Sequence, residues 1–266
     1  MIVGLDVKST LMRASTNEEF TCKTNLKYRL LMMVTSSAAV MAEAPPDPAD
    51  LTQTNTFLWG QTGNNDYTLT GGVAGKLSQD FSYLGLIEHT RTWKRDSKNV
   101  NDNTRVRLFG VQSVDFGVIS SIGASVDYIE GHKSGLDTTA LGLIGKVETS
   151  IDWLALYPNI AYVSLDMDSG GIKGKSEGYQ ANLFASVYLG DDGKYLSIAP
   201  QYMNTQYINV KKLEVTYGAP ISIDGRWWFD VKGGYTRTEA IVNTGIAKLN
   251  VIDSDKTIKI GVAYYF

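Results

Sequence analysis

The chain ends on KIGVAYYF, a stretch in which Ile258, Ile260, Val262, Tyr264 and Phe266 share one parity and Thr257, Lys259, Gly261, Ala263 and Tyr265 the other. Successive side chains of an extended strand point to opposite faces, so these residues describe a strand with one apolar face and one small or polar face. The same two-residue rhythm recurs back to about residue 54, and it predicts twelve strands: 54–60, 66–78, 80–90, 104–115, 117–129, 138–149, 152–165, 177–190, 193–204, 210–221, 226–237 and 256–266. No run of about eighteen apolar residues interrupts them, so a spanning helix is not expected.

The connections sort into two alternating classes. SQD, DFG, TSID, GDDG and SIDG are tight polar or glycine-containing turns. Between them stand QTGNND and the longer RTWKRDSKNVNDN, EGHKSGLD, DMDSGGIKGKSE and TEAIVNTGIAKLNVIDSD. In an antiparallel meander alternate connections emerge at the same end. One end of this sheet therefore carries short turns and the other longer loops, an asymmetry that transmembrane barrels show and that a soluble sandwich has no reason to adopt.

The amino terminus is of a different kind. In LKYRLLMMVTSSAAVMAEA, Lys27 and Arg29 precede an apolar core from Leu30 to Met41 and then small residues, the order of a secretory signal, with cleavage after Ala42. Residues 1–25 fit no part of that signal and are read as a misplaced start or an extension. Residues 26–42 are then the signal peptide, 43–53 a periplasmic amino-terminal segment containing EAPPDPADL, and 54–266 the strand-rich domain. Cys22, the one cysteine, precedes the cleavage point, so disulfides and thiol chemistry are excluded after it. Five of 25 basic and three of 28 acidic residues precede Glu43, leaving 20 against 25, a balance that does not point to nucleic acid.

Apolar alternation, an export signal, an even strand count and a terminal Phe266 together resemble the outer-membrane β-barrels of Gram-negative bacteria. The resemblance covers about residues 54–266 and belongs to a class, not to one family. It implies an all-β, antiparallel, up-and-down transmembrane barrel of about twelve strands, with short periplasmic turns and longer extracellular loops. It also implies an outer-membrane location among lipid and lipopolysaccharide, and a carboxy-terminal signal, here Tyr264 and Phe266, recognised by the barrel-assembly machinery. The size is similar to that of porins for acidic oligosaccharides, although no motif secures that family.

With the parity of Phe266 taken as outward, Trp227, Phe229, Val231 and Tyr235 face lipid, as do Leu213, Val215, Tyr217 and Ala219. The charges then fall on the other face: Lys76, Arg105, Arg107, Asp127, Lys146, Glu148, Lys212, Glu214, Asp230, Lys232 and Lys259 are the expected pore-lining residues. Glu88 is assigned inward with them, although Leu84 and Leu86 share its parity. Many other inward positions are small, among them Gly72, Ala74, Gly123, Gly142, Gly218, Gly234, Gly261 and Ala263. Eight strands leave an interior that side chains just fill and sixteen leave a wide channel, so twelve strands lined by small residues predict a narrow aqueous passage with a weakly cationic bias. The competing expectation is a lumen closed by an infolded segment or by interlocked charges.

Sites for other chemistry are weak. His89 and His132 sit in no nucleophile motif, and neither the His and Ser-Asn-Gly pattern of outer-membrane phospholipases nor the paired Asp and Asp-His couple of omptin-like proteases is present, so neither catalysis nor a cofactor is expected. Asp166, Asp168, Gly171 and Glu177 match four positions of a calcium loop, but Gly170 replaces a ligand and Lys173 and Lys175 oppose the charge. Arg91, Lys94, Arg95, Lys98, Arg105 and Arg107 form a basic cluster suited to anionic solutes or lipopolysaccharide phosphates, balanced in part by Asp96 and Asp102. The function expected is a passive channel for small hydrophilic, mildly anionic solutes. The alternatives are a non-conducting structural or adhesive barrel and, more distantly, a barrel enzyme.

Overall fold

The computed structural model describes residues 46–51, 55–93, 102–169, 172–243 and 248–266. Twelve strands follow in order: β1 Phe57–Gly63, β2 Asp66–Lys76, β3 Phe81–Thr92, β4 Asn103–Phe116, β5 Ile119–Gly131, β6 Leu136–Val147, β7 Leu154–Ser169, β8 Ile172–Tyr188, β9 Tyr195–Thr205, β10 Ile208–Pro220, β11 Trp227–Asn243 and β12 Lys248–Tyr265. Each pairs antiparallel with the next, and β1 pairs with β12 from Phe57↔Tyr265 to Gly63↔Lys259, which closes the barrel. Closure gives every strand a neighbour on both sides, the condition under which a sheet can stand in hydrocarbon. The expected leader at 26–42, with Cys22 before it, lies outside the described residues.

The outer face carries the parity expected from Phe266. Leu108, Leu141, Leu143, Ile160, Leu213, Ile258 and Ile260 are all exposed on it. At the short-turn end Trp227 stacks near Tyr264 (centroids 4.9 Å apart), and Tyr264 meets Phe266 edge-on at 5.0 Å. Towards the other end Tyr67, Tyr128, Tyr162, Tyr179 and Tyr235 are exposed, so aromatic residues flank an apolar belt at both ends. The chain end is itself laddered: the Phe266 amide donates to the Thr56 carbonyl at 2.9 Å.

The short turns form as their glycines dictate, with Gly117 (φ 63°) in DFG and Gly225 (φ 68°) in SIDG supplying the left-handed residue a tight reversal needs. The other end differs from expectation. DMDSGGIKGKSE and TEAIVNTGIAKLNVIDSD are largely strand: β7 and β8 pair out to Ser169↔Ile172, and β11 and β12 out to Asn243↔Lys248. Polar composition removes the reason for such a segment to be buried but not its ability to pair, so the hairpins simply continue past the belt. Only Gln206 and Tyr207 join β9 to β10 at that same end, which breaks the long-loop series.

Candidate functional site

The chemistry gathers in the lumen, where every strand presents its second face. Arg105 grips Asp127 with both Nε (2.8 Å) and Nη2, and Arg107 lies 3.6 Å from Glu88. Across the barrel Lys212 pairs with Glu214 at 3.0 Å, and the Lys232 ammonium sits 5.0 Å above the Trp59 ring. Glu88 is within electrostatic reach of Arg107, Arg105, Lys232 and Lys212, so the group spans from β3–β5 to β10 and β11. Four cations meet three carboxylates there. Half-buried charges of this kind persist only with partners, because removing one leaves the other uncompensated.

The remaining predicted residues are placed elsewhere. Lys259 pairs with Asp66 at 2.7 Å and donates to Thr68 at 3.0 Å near the hairpin end. Asp230 accepts from Trp59 Nε1 (2.7 Å) and Gln61 Nε2 (2.8 Å) in a buried network nearer the short turns. Lys76 and Glu148 stand exposed at the short-turn rim, apart from the charged group. Glu88 is inward as assigned, and so are Leu84 and Leu86, which explains the mixed parity of β3.

At three of the small inward residues the space is taken by neighbouring side chains. A Cβ placed on Gly72 would stand 2.4 Å from the Phe57 ring, and one on Gly218 would stand 2.4 Å from the Tyr195 ring. At Gly261 it would meet Asp230, Trp59 and Gln61. These positions are sockets for large side chains on neighbouring strands. An apolar cluster of Ala140, Ala161, Val163, Leu165 and Met203 fills the wall towards the hairpin end, and Val111, Ile144, Ala155 and Tyr157 form another lower down.

The stretch read as a periplasmic segment, 43–53, is described over residues 46–51. Within it, residues 46–51 stand inside the barrel at the short-turn end. Ala49 is 3% exposed and packs with Tyr195, Trp228, Ala263 and Tyr265, while its carbonyl accepts from Ser186 at 2.9 Å. Asp50 accepts from Tyr157 (2.8 Å) and from Lys146 (3.0 Å), and Leu51 joins the cluster of Val111, Ile144 and Tyr157. Asp47 accepts from Tyr188 at 2.9 Å and from the Ala49 amide at 2.9 Å. Burial, aided by the nearby Asp50 charge, nevertheless raises the Asp47 pKa above its ordinary value. The segment thus touches β4, β6 to β9, β11 and β12, and Lys146 is its counter-ion. Proline and aspartate alone gave no signal for this: two-residue periodicity is silent about a chain with no strand of its own.

Outside the lumen, Thr104 Oγ1 lies 3.1 Å from His89 Nδ1 and 2.8 Å from His132 Nε2, and His132 is exposed in the turn between β5 and β6. Asp166 and Asp168 are ladder-paired opposite Lys175 and Lys173, and no three metal-ligating side chains gather among the described residues. Of the basic cluster, Arg105 and Arg107 turn inward to carboxylates, Arg91 is exposed, and Lys94, Arg95, Asp96 and Lys98 lie outside the described residues. Asp102 is held by Lys133 at 2.7 Å, which keeps its carboxyl below the ordinary range.

No family model and no curated protein matches the sequence. Among solved structures the chain is similar to a KdgM porin, with a TM-score of 0.50 at 12% identity over 80% of this chain and 99% of that one. It is also similar to a NanC porin, with a TM-score of 0.51 at 11% identity over 79% and 100%. The COG4313 outer membrane channel from Pseudomonas putida F1 gives a TM-score of 0.54 at 10% identity over 84% and 100%. At such identities the likeness is one of fold: a closed twelve-stranded antiparallel barrel of the kind built by small outer-membrane channels.

Proposed function

We propose that the protein is an outer-membrane channel for small hydrophilic solutes, with a mild preference for anions, whose passage is restricted at the short-turn end by residues 46–51. The observation that carries this reading is the distribution of charge. Arg105, Arg107, Lys212, Lys232, Glu88, Asp127 and Glu214 converge on the lumen of a barrel whose outer belt is apolar. Charged rings inside a pore select ions. The short turns are then periplasmic, the tall hairpins extracellular beside lipopolysaccharide, and Tyr264 with Phe266 the feature offered to the assembly machinery. The fold's likeness is to channels, not to enzymes.

The contacts of Ala49, Asp50 and Leu51 favour a second reading, a barrel that conducts nothing. Planar-bilayer recording separates the two. Current through the intact chain supports the channel, and a larger current after deletion of residues 46–51 identifies the restriction. A folded barrel silent in both forms overturns the channel and leaves the structural reading.

A further inference from the structure

The outer face carries a groove at the seam where β1 meets β12. Its volume is about 440 Å³, open along one side, and Tyr67, Leu69, Phe229, Ile260 and Val262 stand around Gly60. A Cβ placed on Gly60 would meet nothing within 4 Å, so this glycine floors a furrow instead of serving as a socket. The furrow has a direction. Phe229 pairs with Val262, Val262 with Gly60, Gly60 with Leu69 and Leu69 with His89, one row across β11, β12, β1, β2 and β3. Four steps of about 4.8 Å make the row about 19 Å long. Phe57, the first residue of β1, lies opposite Gly72 and not opposite Lys76 at the end of β2, so the row climbs towards the hairpin end as it passes from β11 to β3. With strands tilted about 40°, the climb is about 12 Å, within one leaflet of a hydrocarbon core about 30 Å thick.

The lower part of the row is apolar and the upper end is not. His89 is exposed and engages Thr104 through Nδ1, which leaves Nε2 open to a ligand. Arg91, next on the same face of β3 and opposite Tyr67, is exposed and makes no ion pair among the described residues. Tyr67 leans on Trp93, with ring centroids 6.4 Å apart, as aromatic side chains do at the level of lipid headgroups. The carboxylates near this end are engaged: Asp102 accepts from Lys133 and the Thr92 amide, and Glu130, opposite Thr104, stands 3.9 Å from His132.

We infer that the furrow seats one acyl chain of a phosphorylated lipid of the outer leaflet, its hydrocarbon along Phe229, Val262, Gly60 and Leu69 and its phosphate beside Arg91 and His89. A smooth belt touches a chain on one side only, whereas a furrow adds contacts from both walls, and each contact contributes dispersion. The volume is about three times the 150 Å³ or so that accepts benzene, which leaves room for a myristoyl chain. A guanidinium offers its donors in a fork that fits phosphate oxygens. The site lies on the outer face and stands whether or not the lumen conducts.

The probe is dimyristoyl phosphatidic acid, followed by native mass spectrometry of the full chain released from detergent micelles. Dimyristoylglycerol supplies the chains without the phosphate, and inorganic phosphate the head without the chains. Phosphatidic acid is expected to bind about threefold tighter than the glyceride, the gain expected from one exposed ion pair, and phosphate alone is not expected to be retained. Gly60→Trp fills the furrow where the structure has open space and should weaken phosphatidic acid about tenfold, or about 1.4 kcal/mol. Leu141→Trp, on the same apolar belt at β6, should leave binding unchanged. Arg91→Gln should remove the advantage over the glyceride, and because Arg91 is exposed it carries the test if Gly60→Trp loses its heat-modifiable gel mobility. Undiminished binding in folded Gly60→Trp, or an equal loss in Leu141→Trp, would mean that lipid coats the belt without choosing a place and overturns the site. Equal binding of phosphatidic acid and glyceride, or retention of phosphate alone, overturns it as a lipid-phosphate site. A parent chain that binds the lipid but passes no ion current defeats the channel reading alone, and current without the lipid preference defeats the furrow alone.

Discussion

Val231 and Lys232 are chain neighbours that obey different rules. Val231 pairs with Ile260 on a face where the exposed side chains near it are apolar, while Lys232 stands over Trp59 within reach of Glu214 and Glu88. The outer residue answers to a solvent that is the same around the whole circumference. The inner one answers to whatever the opposite wall presents, and that changes from strand to strand: charged across β3–β5, β10 and β11, apolar along β6, β7 and β9. Lipid therefore imposes a pattern that can be recognised locally, whereas the lumen is filled by residues far apart in sequence.

The comparison is broken most severely from the outside. Deleting Phe266, or replacing it with Asp, removes the last aromatic of the lipid-facing series and should cost most of the heat-modifiable barrel recovered in outer membranes. Unchanged recovery would separate the chain end from assembly. Val231→Lys comes next, at about 2–4 kcal/mol of stability for a cation near mid-bilayer, measured by urea unfolding in lipid vesicles. Val231→Leu should be nearly neutral, and a similar loss from both would show that this face does not meet lipid.

Within the lumen the larger effect belongs to the plugged wall. Lys146→Glu sets two carboxylates together at Asp50 and should loosen residues 46–51, so single-channel conductance rises. Adding Asp50→Lys restores the pair with its charges exchanged and should return conductance towards the original. A double variant as leaky as the single one would mean that the ion pair does not hold the segment. Lys232→Glu belongs to the charged wall and should move the reversal potential towards cations, because a fixed charge in a narrow, weakly screened passage enriches its counter-ion. Conductance that changes with no shift in selectivity would place Lys232 away from the ion path.

How much could be read from the sequence follows the same division. All twelve strands were legible, with most boundaries within about three residues, because lipid repeats one demand on every strand. So were the inward parity of Arg105, Arg107, Asp127, Lys212, Glu214 and Lys232, and the turns at Gly117 and Gly225. What those side chains do once inside was not. Gly72 and Gly218 read as space, yet they accept Phe57 and Tyr195 from neighbouring strands, a fact that depends on register and rotamer. The ends of β8, β11 and β12 were missed because hairpins beyond the belt need no apolar face. Asp47, Ala49 and Asp50 were missed because their partners, Tyr188, Tyr195 and Tyr157, lie more than a hundred residues away. The one local hint was the pair Leu84 and Leu86 on the parity of Glu88, which marks an apolar stretch of the inner wall.

The smallest expected effect is on pH, and it tests whether residues 46–51 respond as a titrating unit. The groups facing Asp47 include Asp50 on its own segment and Tyr157, Tyr188, Tyr195 and Tyr265 on β7, β8, β9 and β12, with Lys146 already committed to Asp50. Burial raises the Asp47 pKa above the ordinary 3.8, so the docked segment favours the protonated carboxyl. Its contribution is fully present below the undocked value and is lost as pH rises through the docked one. Acidification from neutral towards 3.8 should therefore tighten docking and lower conductance modestly. Other lumen carboxylates titrate in the same direction of pH, so the comparison has to be made against Asp47→Asn, which keeps the shape of the side chain and removes its charge. The variant should conduct less than the parent at neutral pH and converge with it on acidification. Parallel pH profiles for the two would show that Asp47 stays charged in the lumen and that its hydrogen bonds from Tyr188 and the Ala49 amide outweigh the cost of burial.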